Sequence, residues 1–129
     1  MKNSILYIIL LLFFACNNKK EKTLNLNLPE IVFTKDTFDF NTIRKNDSVK
    51  ATFVFKNTGK SDLIIKNMSV GCGCTKIASY KDTIVPDESG NIDIVYHSSN
   101  DTSLVLKTII VETNCKPKLH VLYIKGIVQ

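Results

Sequence analysis

Two cysteines separated by one glycine give this sequence its clearest chemical signal. Cys72 and Cys74 lie in the segment SVGCGCTK, residues 69–76, between two segments with the pattern of β-strands. Residues two apart in a strand point to the same side, so the two sulfur atoms could lie next to each other. Three kinds of site fit this spacing: a packed structural corner, a soft-metal site, and a redox-active or intermolecular disulfide.

The backbone between the two cysteines limits these interpretations. In a regular strand their Cα atoms would be about 6.6 Å apart, which is close to the upper limit for a disulfide. A bond between Cys72 and Cys74 would therefore require a turn at Gly73. Two thiolates suit Cu(I) or Zn²⁺, but the sequence identifies no further ligand. Exposed unpaired thiols are a liability outside the cytosol, which keeps the redox interpretation open.

One further cysteine and two histidines complete the candidate metal or thiol residues. If the strands alternate in direction, Cys115 lies at the end of the domain opposite Cys72 and Cys74, about 20 Å away for a strand of ~7 residues. We therefore expect no bond from Cys115 to either of them. The same counting places His97 and His120 at the Cys115 end. An accidental Cys115–His120–His97 site is conceivable there, and two ordinary hydrogen-bonded or solvated histidines are the simpler alternative.

The first fifteen residues predict a lipoprotein signal peptide. Lys2 is followed by the apolar run ILYIILLLFFA, which ends directly before Cys16. The run is shorter than the ~20 residues that span a bilayer. The segment FFAC resembles a bacterial lipobox, in which cleavage exposes a cysteine that receives a diacylglycerol. An ordinary signal peptide before a chance cysteine is the alternative.

This start predicts where the mature protein is held. We expect a lipid on Cys16, a polar tether over residues 16–29 and one domain over residues 30–129, attached to a membrane without spanning it. Asn17 follows the cysteine, whereas Asp at this position resembles the retention signal of enterobacterial inner-membrane lipoproteins. The prediction is therefore a cell-envelope protein on the outer membrane, facing the periplasm.

The domain has the pattern of an all-β protein. The segment SVKATFVFKN places Val49, Ala51, Phe53 and Phe55 on one face, as a strand with one buried side requires. Two later segments repeat the alternation. In one, Ile92, Ile94 and Tyr96 point inward, and in the final one Leu122, Ile124, Gly126 and Val128 share one face. About seven strands and no helical period predict an immunoglobulin-like antiparallel β-sandwich, with a small barrel as the alternative.

Turn residues separate these strands. In the segment NTGKSD we expect a positive φ at Gly59, and we expect the Asn57 side chain to bond nearby backbone. The segment VPDESGN, with Pro86 and Gly90 on either side of polar residues, marks another turn.

The combination of motifs resembles a known bacterial family. A Phe-x-Phe opening at Phe38 and Phe40, a Phe-x-Asn-Thr-Gly segment that begins at Phe55, and Cys72-Gly-Cys-Thr are similar to the bacterial domain-of-unknown-function 1573 family. The resemblance runs from about residue 30 to Val128. It implies an immunoglobulin-like sandwich, akin to the sperm-protein-like modules of larger assemblies, and no established activity.

Two positions depart from the family pattern. Asn41 and Asp87 stand where the family usually has glycine. Asn and Asp tolerate the left-handed conformation better than most residues, so we expect both turns to be retained.

Composition excludes several classes of function. The net charge of +5 comes from dispersed lysines, with Arg44 as the single arginine, which does not fit a nucleic-acid-binding protein. No nucleophile–base pair, GxSxG motif or phosphate loop is evident, so we expect no enzyme and no cofactor, apart from a possible Cu(I) or Zn²⁺ at Cys72 and Cys74. The sequence favours a lipid-anchored module that binds an unknown envelope protein, with exposed edge strands available for β-augmentation. The alternative is an envelope thiol protein that uses Cys72 and Cys74 for metal or redox chemistry.

Overall fold

The structure, a computed structural model, describes residues 27–99 and 101–129. Nine strands form two sheets that pack face to face. The strands are β1 (Ile31–Phe33), β2 (Thr37–Ile43), β3 (Ser48–Asn57), β4 (Leu63–Val70), β5 (Thr75–Tyr80), β6 (Thr83–Ile84), β7 (Ser89–His97), β8 (Ser103–Thr113) and β9 (Leu119–Val128). One sheet has the order β1-β3-β7-β5, and the other has the order β2-β9-β8-β4-β6. The all-β, immunoglobulin-like sandwich is confirmed.

Alternating side chains from both sheets form the core. On β3, Ala51, Phe53 and Phe55 are buried, as predicted. The predicted inner residues of β7 and β9 are buried too: Ile92, Ile94, Tyr96, Leu122, Ile124 and Val128. Gly126 belongs to this inner face because a Cβ atom there would overlap the Phe40 ring. The core therefore fills the space between the sheets along their whole length.

Two features of the sandwich differ from the prediction. β6 has only two residues, Thr83 and Ile84, too few to show a period, and the strand count rises from about seven to nine. β2 pairs with β9 in parallel, whereas the sequence analysis assumed antiparallel neighbours throughout. This pairing arises because the chain crosses from one sheet to the other after β1, so β2 becomes the edge strand beside β9.

Three turn positions test the turn predictions. Asn41 and Asp87 have φ values of 58° and 66°, so the left-handed conformation expected of both is confirmed. The prediction for Gly59 was wrong, because its φ is not positive. Glycine is required there for space, since a Cβ atom would overlap the backbone of Leu28 and Glu30.

The same close contact fixes where the chain enters the domain. The carbonyl oxygen of Leu28 accepts a hydrogen bond from the Lys60 N–H at 3.0 Å, and that of Glu30 accepts one from the Thr58 N–H at 2.9 Å. Residues 28 and 29, which the sequence analysis assigned to the tether, therefore lie against the turn after β3. The predicted signal peptide, Cys16 and the tether up to residue 26 lie outside the described residues. Within residues 27–99 and 101–129, no helix is long and apolar enough to cross a membrane.

Candidate functional site at the disulfide end

Cys72 and Cys74 are joined by an intrachain disulfide. Residues 71–74 form a turn between β4 and β5, so the Cα atoms are 5.2 Å apart and not at the wider spacing of a regular strand. The Thr75 N–H donates a hydrogen bond to the Cys72 carbonyl oxygen at 3.3 Å, which closes the turn. The turn at Gly73 that such a bond requires is therefore present. We call this end of the sandwich the disulfide end.

The last residues of β7 hold the turn from the side. The His97 N–H donates to the Cys74 carbonyl oxygen at 2.8 Å, and Thr75 pairs with Tyr96 across the two strands. The prediction that His97 lies at the Cys115 end was therefore wrong. β4 leads to the turn and β5 leads away from it, and β7, antiparallel to β5, returns to the disulfide end.

Cys115 lies at the opposite end, as predicted. It follows β8, whose last residue, Thr113, pairs with Ile65 near the start of β4. Cys115 is 2% exposed, and its N–H donates to the Thr113 hydroxyl at 3.1 Å. Burial raises the pKa of the Cys115 thiol. We call this end the Cys115 end.

His120 is also at the Cys115 end, as predicted. Its Nε2 atom is 3.2 Å from the Thr113 hydroxyl, and burial lowers the pKa of its imidazole. The conceivable Cys115–His120–His97 trio is not formed, because His97 is at the other end of the domain.

A buried threonine hydroxyl lies against both sulfur atoms of the disulfide. Thr75 Oγ1 is 3.7 Å from Cys72 Sγ and 3.9 Å from Cys74 Sγ. Thr75 is 2% exposed and shares the inner face of its sheet with Tyr96. The disulfide therefore lies at the end of the sandwich, and this hydroxyl lies on its inner side.

A polar network adjoins Thr75 on the inner side. The Tyr96 hydroxyl donates to Asp101 Oδ2 at 2.6 Å, and Lys107 Nζ donates to Asp101 Oδ1 at 2.8 Å. Lys107 also lies over the Tyr96 ring, 5.8 Å from its centre, and Phe40 stacks on that ring at 5.5 Å. Burial, followed by the hydrogen bond to Asp101, raises the pKa of Tyr96, and the Lys107 and Tyr96 hydrogen bonds lower the pKa of Asp101. A neutral phenol and an ionised carboxylate are therefore fixed together at neutral pH.

An open depression of about 650 Å³ lies beside the disulfide. It is lined by Asn46, Cys72, Gly73, Cys74, Lys76, His97, Ser99, Asp101 and Lys107. Its one carboxylate, Asp101, is paired with Lys107, while Lys76 adds a second positive charge. The surface next to the disulfide is therefore basic. Sequence analysis missed this cluster because its members come from separate turns and strands.

A serine–histidine contact lies at the rim of the depression. Ser48 Oγ is 2.7 Å from His97 Nδ1. A hydrolytic pair needs a third group that orients the other ring nitrogen. Among the described residues, no carboxylate is hydrogen-bonded to that nitrogen, so the contact by itself does not make a catalytic triad.

The soft-metal interpretation of Cys72 and Cys74 stays a prediction. In residues 27–99 and 101–129, no group of three or more Cys, His, Asp and Glu side chains is arranged to hold a metal ion. The two sulfur atoms are bonded to each other, and a metal would need them as thiolates.

The outer faces of the two sheets form a second candidate surface. On the five-stranded sheet the outward side chains of β8 and β9 are largely apolar, and the exposed ones are Leu104, Leu106, Ile110, Leu119, Val121 and Ile127. On the four-stranded sheet, Lys50, Thr52 and Ser79 surround Asp93, and hydrogen bonds led by that of Lys50 lower the Asp93 pKa to about 2. Most of the exposed large apolar side chains therefore lie on the five-stranded sheet, while the four-stranded sheet carries the polar cluster around Asp93 and also exposes Val32 and Val54.

The chain belongs to the family of proteins of unknown function designated DUF1573, whose family model matches residues 31–128. This finding confirms the resemblance seen in the sequence. No curated protein matches the chain.

Solved structures with a similar fold come from very different proteins. A protein of unknown function from Porphyromonas gingivalis W83 has a TM-score of 0.68 at 13% identity, over 77% of this chain and 46% of that one. The PapD-like domain 7 of human CEP192 has a TM-score of 0.65 at 9% identity, over 80% of this chain and 87% of that one. The secreted serine protease VesC from Vibrio cholerae has a TM-score of 0.61 at 13% identity, over 80% and 23%.

These likenesses concern the fold. This chain spans less than half of the Porphyromonas gingivalis protein and about a quarter of VesC. At such low identity they establish an immunoglobulin-like or PapD-like sandwich. They transfer neither protease activity nor its absence to this chain.

Proposed function

We propose that this member of the family is a lipid-anchored module of the cell envelope that binds another protein through the outer face of its five-stranded sheet. An immunoglobulin-like domain of this family suggests an interaction module. The observation that carries the proposal is the exposed apolar side chains along β8 and β9. Contiguous exposed apolar surface on a soluble domain marks interaction sites more often than scattered apolar residues do.

Strand register brings apolar side chains of β8 and β9 together on one face. Leu104 pairs with Ile127, and Ile110 pairs with Val121 on the neighbouring strand. Directly paired residues share one face of a sheet, so these side chains form two apolar clusters on it, and the Leu106–Lys125 and Thr108–Tyr123 pairs lie between them. Leu104 and Leu106 are 79% and 63% exposed, which leaves most of their surface for a partner to cover.

Site-specific photo-cross-linking in cells tests this surface. A photoreactive amino acid at Leu106 is expected to give a defined cross-linked species in the envelope fraction. The same amino acid at Val54, on the outer face of the four-stranded sheet, serves as the matched control. Equal cross-linking at both positions, or none at Leu106, would contradict the proposed face.

The anchor is tested separately. Metabolic labelling with a tagged fatty acid is expected to label the chain, and Cys16→Ser is expected to abolish the label and release the protein from washed membranes. A labelled Cys16→Ser protein would overturn lipidation at this residue. Separation of inner and outer membranes then tests the proposed outer-membrane location.

A second candidate function is thiol chemistry at the disulfide end. It is favoured by the Cys72–Cys74 disulfide in an exposed turn beside a basic depression. The intact mass of the chain, purified without chelator, would be measured before and after reduction and alkylation. Alkylation of Cys72 and Cys74 in the folded chain after mild reduction, together with return of the disulfide mass when the unalkylated chain is reoxidised, supports redox exchange. A metal-sized increment lost on alkylation supports a Cu(I) or Zn²⁺ site. Alkylation that occurs only when the domain unfolds leaves a structural corner.

A further inference from the structure

We propose that the Thr75 hydroxyl is a positioning residue of a reversible Cys72–Cys74 redox pair, in which it hydrogen-bonds to the thiolate that reduction releases. This inference rests on the second candidate function. It adds the residue that favours the reduced form and the chemical class of the reaction partner, a dithiol.

The hydrogen bonds of Thr75 carry the proposal. The hydroxyl is buried, and its partners among the described residues are the two disulfide sulfur atoms, at 3.7 and 3.9 Å. Sulfur in a neutral Cys side chain is a weak acceptor, whereas a hydrogen bond to an ionised group is about twice as strong as a neutral one. A buried hydroxyl with only weak partners therefore gains more when a thiolate replaces the disulfide.

The comparable distances to both sulfur atoms extend this argument. Whichever sulfur is attacked, the other one leaves as a thiolate close to the same hydroxyl. Lys76 lines the adjoining depression, where Lys107 is paired with Asp101, and a positive charge near a cysteine also favours its thiolate. The site thus offers one donor and a basic surface to the leaving sulfur.

The reaction is thiol–disulfide exchange with a dithiol. A thiolate of the partner attacks one sulfur of the Cys72–Cys74 bond, forms a mixed disulfide and releases the other sulfur as a thiolate. The second thiol of the partner then displaces the bound cysteine. Two electrons and two protons pass to this chain, which becomes the dithiol, and the partner leaves as a disulfide.

The test measures the reduction equilibrium of the full chain in detergent against dithiothreitol, with alkylation and peptide masses as the readout. Thr75→Val removes the hydroxyl and keeps the shape, and it is expected to shift the equilibrium about tenfold toward the disulfide, or ~30 mV for a two-electron couple. Thr75→Ser keeps the hydroxyl and is expected to restore the equilibrium toward that of the natural chain.

A matched control separates this effect from a loss of packing. Thr113 is also a buried threonine beside a cysteine, but it lies at the Cys115 end. Thr113→Val is expected to destabilise the fold without moving the Cys72–Cys74 equilibrium. Equal equilibria for Thr75→Val and the natural chain would overturn the role of Thr75 while leaving the redox function standing.

A measurement on the natural chain covers the case in which Thr75→Val does not fold. In the reduced protein, the first of the two thiols is expected to react with iodoacetamide at a half-maximal pH below that of an ordinary free cysteine. An ordinary or higher value would overturn the thiolate contact. If dithiothreitol cannot reduce the folded chain at all, the redox function itself fails.

Discussion

The two ends of the sandwich place a cysteine beside a buried threonine in opposite settings. At the disulfide end, the bonded Cys72 and Cys74 lie in a surface turn, and Thr75 supports them from the inside. At the Cys115 end, a single thiol is buried behind the end of β8, next to the Thr113 hydroxyl. Similar groups therefore face solvent at one end and the core at the other.

This difference shows why residue types alone do not define a site. The Thr113 hydroxyl accepts from the Cys115 N–H and donates to the Lys118 carbonyl oxygen, so ordinary backbone partners satisfy it. The Thr75 hydroxyl has sulfur partners, and a change in their redox state would change its energy. Thiol chemistry is accordingly expected at the end where the cysteines are accessible and the hydroxyl is poorly satisfied.

Thiol labelling gives the largest expected difference between the two ends. In the reduced native protein, we expect Cys115 to react with iodoacetamide about 1,000-fold more slowly than Cys72 or Cys74, because labelling of a buried thiol requires local opening. Its raised pKa acts in the same direction. Peptide masses over time provide the measurement. In guanidinium chloride the three rates should converge, and similar rates in native buffer would remove the contrast.

Removing buried hydrogen bonds should destabilise the Cys115 end more than the disulfide end. Asn57 is fully buried, and its side chain donates to the carbonyl oxygens of Ser61 and Ile84 and accepts from the Gly59 N–H. We expect Asn57→Ala to lower the free energy of unfolding by about 3 kcal/mol, because several buried groups lose their partner.

The matched change at the disulfide end is Ser98→Ala. The buried Ser98 hydroxyl contacts the carbonyl oxygens of Arg44 and Asp47, and we expect a loss of about 1 kcal/mol. Denaturant unfolding compares the two variants. A larger loss for Ser98→Ala would reverse the proposed ranking of the ends.

The smallest expected effects are two changes of stability with pH, one from a residue at each end of the domain. Burial lowers the pKa of His120 from 6.5, so the unfolded chain takes up a proton first and stability falls as the pH drops below 6.5. The pKa of Asp101 is lowered from 3.8, so its contribution is complete above that value and is lost as the pH falls below it.

Two variants test which residue causes the loss of stability in each pH range. His120→Gln should flatten the stability profile just below pH 6.5, and Asp101→Asn should flatten it below pH 3.8, as measured by denaturant unfolding at each pH. If His120→Gln left the stability profile just below pH 6.5 unchanged, that result would contradict the burial of His120.

Local pattern was sufficient to predict most of the fold. The alternation along β3, β7 and β9 identified inner residues such as Phe53, Ile94 and Leu122, because a sheet with one buried face requires it. Asn41 and Asp87 were identified as left-handed positions because few other residues tolerate that conformation. The strand predictions depended on neighbouring residues alone, and the predictions for Asn41 and Asp87 depended also on the family resemblance.

Features set by distant segments were missed. The role of Gly59 depends on the backbone of Leu28, which lies far from it in sequence. The position of His97 depends on how many times the chain reverses after the disulfide, and the pairing of β2 with β9 joins the two ends of the domain. The basic depression is lined by residues from several separate turns and strands, so no local pattern predicts it.

The entry point of the chain determines which end of the domain a membrane tether would hold. Leu28 is hydrogen-bonded to Lys60 in the turn after β3, at the Cys115 end. A lipid on Cys16 would be connected to that end by twelve residue steps, which reach at most about 40 Å. The anchored domain would then be held by its Cys115 end, and Cys72 and Cys74 would lie one strand length farther from the point of attachment.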